Sequence, residues 1–315
     1  MNDKNVIILT GPTAVGKTAL SIALAKHLDT GIISADSMQV YKHMNIGSAK
    51  ISAEEMQGVE HALIDVYEPS EEFHVVQFQN DAKAAMQKLW AEKKTPLVVG
   101  GTGFYIQALL YDIDFTTEDA DTALRENYEK IAREQGASVL HEMLAQVDPR
   151  AAKEIHANNI KRVIRALEFF DKTKTPISEH NETERAKKSP YNFAYFVLTD
   201  RREHLYERID ARVDLMMEQG LLEEVKALRE MGYDRSFVSM QGLGYKELLA
   251  YLDGECSLEE AVYIIKRDTR HFAKRQLTWF RRERDVIWVD KSEFDYEEEQ
   301  ILQFMIKEIE KRGLR

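Results

Sequence analysis

The sequence predicts an α/β protein: a P-loop NTPase-like, mainly parallel sheet flanked by helices, with a helical insert domain. Three observations carry that expectation. Val6-Ile7-Ile8-Leu9-Thr10 is an apolar, β-branched run of the kind buried inside a parallel sheet. The residues that follow, Gly11-Pro12-Thr13-Ala14-Val15-Gly16-Lys17-Thr18, fit G-x-x-x-x-G-K-[ST] at every fixed position. Apolar runs and amphipathic helical patterns then alternate as far as Tyr111.

The glycine-rich loop has a direct physical meaning. Its backbone N–H groups, together with the N-terminus of the helix continuing through Leu20, Ile22, Leu24 and Leu28, offer positive partial charge to an anion. Lys17 adds a full charge, and the Thr18 hydroxyl can hold a Mg²⁺ bridging phosphate oxygens. A chance glycine turn is the competing reading, and the strand–loop–helix order counts against it. The expected ligand carries a diphosphate or a longer polyphosphate.

At 315 residues and 44% apolar composition, the chain is long enough for one large core plus an insert. The single Cys256 excludes a disulfide framework and a cysteine-based zinc site. No basic n-region precedes the first strand and no apolar run reaches membrane-spanning length, so a cytoplasmic protein with no membrane partner is expected. The formal charge of −11 does not exclude a nucleic-acid partner, because phosphates respond to the local field. Lys266–Arg284 holds Lys266, Arg267, Arg270, Lys274, Arg275, Arg281, Arg282 and Arg284 against only Asp268 and Glu283.

Taken in order, apolar runs at Gly31–Ser34, Ala62–Ile64 and Pro96–Val99 extend the sheet, and Val75 to Leu89 forms a helix. From Asp112 to Pro190 strand signals vanish, and helices are expected over Ala123–Gln135, Ser138–Gln146 and Asn159–Asp171, with Lys172–Pro190 as a polar loop. The core is therefore expected over 1–111 and 191–315, with residues 112–190 as the insert. Phe193–Leu198 returns to a strand. Asp200 and Glu203 form a capping pattern for a helix with an apolar stripe at Leu205, Ile209, Val213 and Met216. Arg212 falls within that stripe, where it needs either a structural carboxylate or an anionic ligand. A helix over Ser257–Arg284 places Arg267, Arg270, Lys274 and Arg281 on one arc opposite Ala261, Ile265 and Phe272. That arc is either a solvated face or an anion-binding one. Val286–Val289 and Ser292–Lys311 read as a last strand and helix.

Ligands of such sheets bind beyond the carboxyl ends of the strands, where Asp36, Asp65 and the Gly100-Gly101-Thr102-Gly103 turn fall. Asp36 is either a Mg²⁺ ligand, a role Asp65 can equally fill, or a general base acting on a nucleophile.

These residues also carry a resemblance. The P-loop, Ile33-Ser34-Ala35-Asp36-Ser37-x-Gln39-x-Tyr41, Val99-Gly100-Gly101-Thr102-Gly103-x-Tyr105, Gly242-Leu243-Gly244-Tyr245-Lys246 and Lys274-Arg275-Gln276-Leu277-Thr278-Trp279-Phe280-Arg281 together resemble the bacterial tRNA dimethylallyltransferases, the IPP transferase family. The match runs in order along nearly the whole chain. The resemblance implies transfer of a dimethylallyl group from dimethylallyl diphosphate to the N6 amine of the adenosine 3′-adjacent to the anticodon. The P-loop, Gly11–Thr18, would then hold a diphosphate leaving group rather than a nucleotide for hydrolysis.

It further implies Asp36 as the general base, Thr13 and Arg212 on the diphosphate, and Mg²⁺ at Thr18. The tRNA anticodon stem-loop would meet Asp36, Ser37, Met38, Gln39, Thr102, Lys161, Arg162, Val163, Ile164, Arg165, Gly242, Lys246, Lys274, Arg275 and Arg281, with the chain acting as a monomer and the target base flipped out of its stack. The competing readings are a free-nucleotide isopentenyltransferase or small-molecule P-loop kinase, which has no need of a basic insert, and a nucleotide-controlled RNA-binding switch, which has no need of a base at Asp36.

Overall fold

The computed structural model describes residues 4–115 and 122–314. Two compact units divide the chain: Met1–Leu110 with Pro190–Arg315, and Tyr111–Ser189.

The first unit is built on strands β1 (Asn5–Thr10), β2 (Ile32–Ser34), β3 (His61–Ala62), β4 (Leu97–Gly100), β5 (Asn192–Thr199) and β6 (Val286–Asp290). They form one sheet in the order β3-β2-β4-β1-β5-β6, with every pairing parallel. β1 is central, with Leu9 level with Val99 of β4 and Phe196 of β5. Alternate residues of β1 serve opposite faces, yet Val6 to Leu9 are all buried, as a sheet covered on both sides requires.

One face shows how it is covered. Ile7, Leu9, Phe196 and Leu198 pack with Leu20 and Leu24 of helix α1 (Lys17–Leu28) and with Ile301, Met305 and Ile309 near the chain's end. Each such fully buried side chain contributes about 1.5–3 kcal/mol of transfer free energy. Between β2 and β4 come α2 (Ala53–Met56) and α3 (Val75–Ala91), and α4 (Gly103–Leu110) follows β4 directly.

Among its described residues the second unit holds helices and no strand: α5 (Thr122–Gln135), α6 (Ala137–Val147), α7 (Pro149–Glu154), α8 (Ile160–Thr173) and α9 (Ile177–Ala186). Its own core joins Tyr128, Leu140, Leu144, Ile155, Val163, Ile164 and Leu167. The expectation of a loop across Lys172–Pro190 is corrected by α9. That helix is polar, but the buried Asp148 carboxylate accepts hydrogen bonds from the Ser178 backbone at 2.9 Å and its hydroxyl at 2.7 Å. Tertiary contact, not periodicity, sustains it.

Returning to the first unit, β5 leads into α10 (Arg202–Glu218), α11 (Leu221–Glu230), α12 (Tyr245–Leu252) and α13 (Leu258–Phe280), and α14 (Glu298–Lys311) follows β6. Asp200 does not cap α10 as the sequence pattern suggested. Its carboxylate accepts from the Arg201 backbone, from Tyr296 and from the His204 ring, so the helix starts without a side-chain cap. By contrast, Ser257 and Glu260 form a capping box at the start of α13, a feature absent from the sequence reading. The last helix begins at Glu298 rather than Ser292, after a short 3₁₀ turn. Among the described residues, no helix is long and apolar enough to cross a membrane.

Candidate active site

The loop after β1 turns by two left-handed residues, Ala14 (φ 62°) and Gly16 (φ 97°). Alternating backbone handedness of this kind turns successive N–H groups into one concavity that suits an anion at the start of α1. Gly11 has a steric reason to be glycine: a Cβ there would lie 2.6 Å from the carbonyl oxygen of Leu198. Lys17 folds back over the loop and donates to the carbonyls of Gly11 (3.0 Å) and Pro12 (2.9 Å). Burial first, and then the positive charge of Arg212, lower its pKa to about 8, opposed by the charge of Asp36. Pro12, Ala14 and Val15 are buried, Thr13 is half-buried, and Thr18 is exposed in the first turn of α1. Arg208 secures the far side of the loop by donating to the Ala14 carbonyl at 2.8 Å.

Asp36 stands just beyond β2. Its Oδ1 accepts from the backbone of Met38 (2.8 Å) and Gln39 (3.3 Å), which fixes the carboxylate, while Oδ2 accepts no hydrogen bond from the described residues. Asp65, the other carboxylate expected near here, is an exposed partner of Lys50. Arg212 sits half-buried on α10, and no described carboxylate lies within salt-bridge reach of it. Burial lowers its pKa, and the charge of Asp36 is the main opposing influence. Of the two readings left open for Arg212, the structural ion pair has no partner among the described residues. Lys17, Arg212 and Asp36 interact electrostatically as one group.

Thr102 braces the same strand end, donating from its backbone to the Ala35 carbonyl (3.2 Å) and accepting from the Ser37 backbone at its hydroxyl (3.3 Å). Gln39 is used internally: its carboxamide donates to the carbonyl of Ala49 at 3.1 Å. Met38 lies against Gly242, where a side chain would collide with it. The Gly244 turn (φ 92°) starts α12, and Tyr245 donates to Glu224, whose carboxylate also accepts from the backbone of Asn45, Ile46 and Gly47. That motif therefore anchors the segment after Asp36, with Lys246 beside it and paired to Glu247.

The basic arc of α13 needs correction. Arg270 is paired with Asp210 and Arg267 with Asp268, so neither presents a free charge. Lys274, Arg275 and Arg281 are exposed. Lys274 and Arg275 join His271, Thr278, Trp279 and Arg282 around a concavity of about 370 Å³. In the helical unit, Lys161, Arg162 and Arg165 of α8 are exposed, but Val163 and Ile164 are 0% and 3% exposed and belong to its core. Those two cannot offer side chains to a partner.

Mg²⁺ suits the donor set at Thr18. Among the described residues no cluster of acidic, His or Cys side chains could cage a metal, and a Mg²⁺ carried largely by phosphate oxygens and water needs only one or two protein ligands.

Fold and site together define a P-loop α/β protein with an anion cradle at β1 and an acidic side chain at the end of β2. Residues 39–283 match the IPP transferase family, and the chain belongs to that family. It is similar to the tRNA dimethylallyltransferase of Lachnoclostridium phytofermentans, 61% identical over 302 residues and 96% of each chain. The protein of the same name from Acetivibrio thermocellus is 52% identical over 93% of this chain and 94% of its own. Among solved structures, the full-length tRNA isopentenylpyrophosphate transferase of Bacillus halodurans is similar at TM-score 0.74 and 43% identity, covering 98% of both chains. A eukaryotic dimethylallyltransferase acting on tRNA is similar at TM-score 0.77 and 31% identity, over 91% of this chain and 74% of that one.

Proposed function

We propose that this chain, acting as a monomer, transfers the dimethylallyl group of dimethylallyl diphosphate to the N6 amine of the adenosine 3′-adjacent to the anticodon of tRNA. The observation that carries this reading within the site is Arg212: a half-buried guanidinium with no carboxylate partner among the described residues, electrostatically coupled to Lys17 and Asp36. An arginine so placed calls for an anion supplied from outside the protein.

The chemistry follows from that arrangement. The P-loop amides, Lys17, Arg212 and Thr13 hold the diphosphate and meet the charge that grows on it as the allylic C–O bond breaks. The electron pair of that bond leaves with the diphosphate, and the amine nitrogen forms the new bond to carbon. An exocyclic aromatic amine is a weak nucleophile, so loss of its proton to the open oxygen of Asp36 assists attack. Thr18 would hold a Mg²⁺, which would supply further neutralisation of the diphosphate. Thr102, Met38, Gln39 and Gly242 shape the loops around Asp36, and Lys246, Lys274, Arg275 and Arg281 meet RNA, as do Lys161, Arg162 and Arg165 on the helical unit.

Incubation with radiolabelled dimethylallyl diphosphate and either unmodified tRNA or AMP tests the acceptor. Label is expected in tRNA, on one adenosine per molecule after nuclease digestion. Label on AMP instead would favour the free-nucleotide enzyme, and label on neither would remove the reading.

The salt dependence of tRNA binding tests the basic face. Each phosphate contact contributes about 0.7–0.9 to the slope of log affinity against log salt. Lys274→Ala combined with Arg275→Ala is expected to flatten the slope by about 1.4–1.8, whereas Arg270→Ala should leave it unchanged because Asp210 already neutralises that guanidinium. The reverse pattern would place the RNA path elsewhere.

A further inference from the structure

Gln276 is a polar residue on the inward side of α13, only 7% exposed, and both ends of its carboxamide are used. Its Oε1 accepts from the backbone N–H of Thr13 at 2.9 Å, and its Nε2 donates to the Gly101 carbonyl at 2.9 Å. Only one orientation of the amide satisfies a donor on one side and an acceptor on the other. From Gly101 the bonding continues through Thr102 to Ala35 and Ser37, the two neighbours of Asp36 in the chain. A single side chain thus joins the P-loop to the turn after β4, across 263 and 175 residues of sequence, and Thr102 of that turn carries the connection on to the loop that holds the carboxylate.

We propose that Gln276 is a positioning residue for the transfer, fixing the Thr13 end of the diphosphate cradle relative to Asp36. The inference rests on the roles given above to Thr13 and Asp36. Two substrates must meet with the amine aligned on the allylic carbon, and a displacement of about 1 Å in such a site can cost on the order of 10²-fold in rate. The geometry also explains glycine at position 101, because a Cβ there would collide with Nε2 of Gln276.

Gln276→Glu separates positioning from packing. An ionised carboxylate still accepts from Thr13 but repels the Gly101 carbonyl, whereas a protonated carboxyl restores the donor–acceptor pair of the native amide. Burial raises the pKa of a carboxyl, so protonation falls within an accessible pH range. At pH 8.5 the variant is expected to show kcat lowered about 10- to 100-fold, with KM for both substrates within about threefold of wild type. Its activity relative to wild type should then rise at least about fivefold as pH falls to 6. Wild-type kcat at pH 8.5, or a ratio flat across that range, would overturn the proposal.

Gly101→Ala supplies a second arm that keeps Gln276 in place but displaces its carboxamide. It should lower kcat similarly and add little when combined with Gln276→Ala. Full additivity of the two would also overturn the proposal. Asp36→Asn, assayed in parallel, distinguishes the failures. Wild-type transfer by that variant removes the underlying reading, while loss in Asp36→Asn with none in Gln276→Glu removes only the role of Gln276.

Discussion

Asp36→Asn is expected to lower the single-turnover rate of prenyl transfer by about 10²- to 10⁴-fold, the range of general-base catalysis, with both substrates still bound. The substitution is informative because of what it preserves. The Asn carbonyl oxygen can accept the same backbone hydrogen bonds from Met38 and Gln39 that now fix Oδ1, so the turn after β2 keeps its shape. Only the ability of the second oxygen to take a proton is lost. Rapid-quench measurement with enzyme in excess over labelled substrate reads that step alone. A rate within a few-fold of wild type would remove Asp36 from the base role.

Lys17→Ala is expected to be comparably severe, by a different route. It removes the only full charge within the loop, and each charge-assisted hydrogen bond to the diphosphate contributes about 1.5–3 kcal/mol, so affinity should fall about 10- to 100-fold. Stabilisation of the departing diphosphate goes with it, for a further loss of about 10²-fold or more in rate. Intact diphosphate affinity in this variant would contradict the assignment.

The wild-type protein gives the same information through pH. The Lys17 amine, lowered to about 8 by burial and by Arg212, is charged in the free protein below pH 8 and increasingly neutral above it. Bound diphosphate favours the charged form, so its pKa rises on binding and binding takes up a proton above pH 8. Affinity should therefore level off below that pH and weaken as pH rises through it, by up to about tenfold per unit. Calorimetry in buffers of different ionisation enthalpy detects the proton uptake directly.

The parts of the site legible in the sequence are those fixed by local chain. An apolar run ending in Gly11–Thr18 specifies a strand, a turn and a helix start within one stretch, and Asp36 follows β2 in the same way. Other features depend on residues far apart in the chain. The pairing of Arg270 with Asp210 spans 60 positions, and nothing near Arg270 distinguishes it from the exposed Lys274 on the same helix. Gln276 sits between Arg275 and Leu277 and reads as a surface residue until Thr13 and Gly101 are brought to it. The only local hint was a glutamine at a position where helical spacing from Ala273 and Phe280 points inward. Likewise, α9 has no apolar stripe to announce it, because its first turn is held by Asp148. Val163 and Ile164 show the opposite error. A linear motif places them with Lys161 and Arg165, while the 3.6-residue period turns them inward.

In the proposed reaction labour is divided: the P-loop binds the diphosphate, and Asp36 acts on the amine. Titration of inorganic diphosphate with Mg²⁺ into wild type, Lys17→Ala and Asp36→Asn, side by side, tests it most directly. Wild-type affinity is expected for Asp36→Asn, with a loss of about 10- to 100-fold for Lys17→Ala. Weakened binding in Asp36→Asn that excess Mg²⁺ restores, with Lys17→Ala unaffected, would make Asp36 a metal ligand and contradict this division.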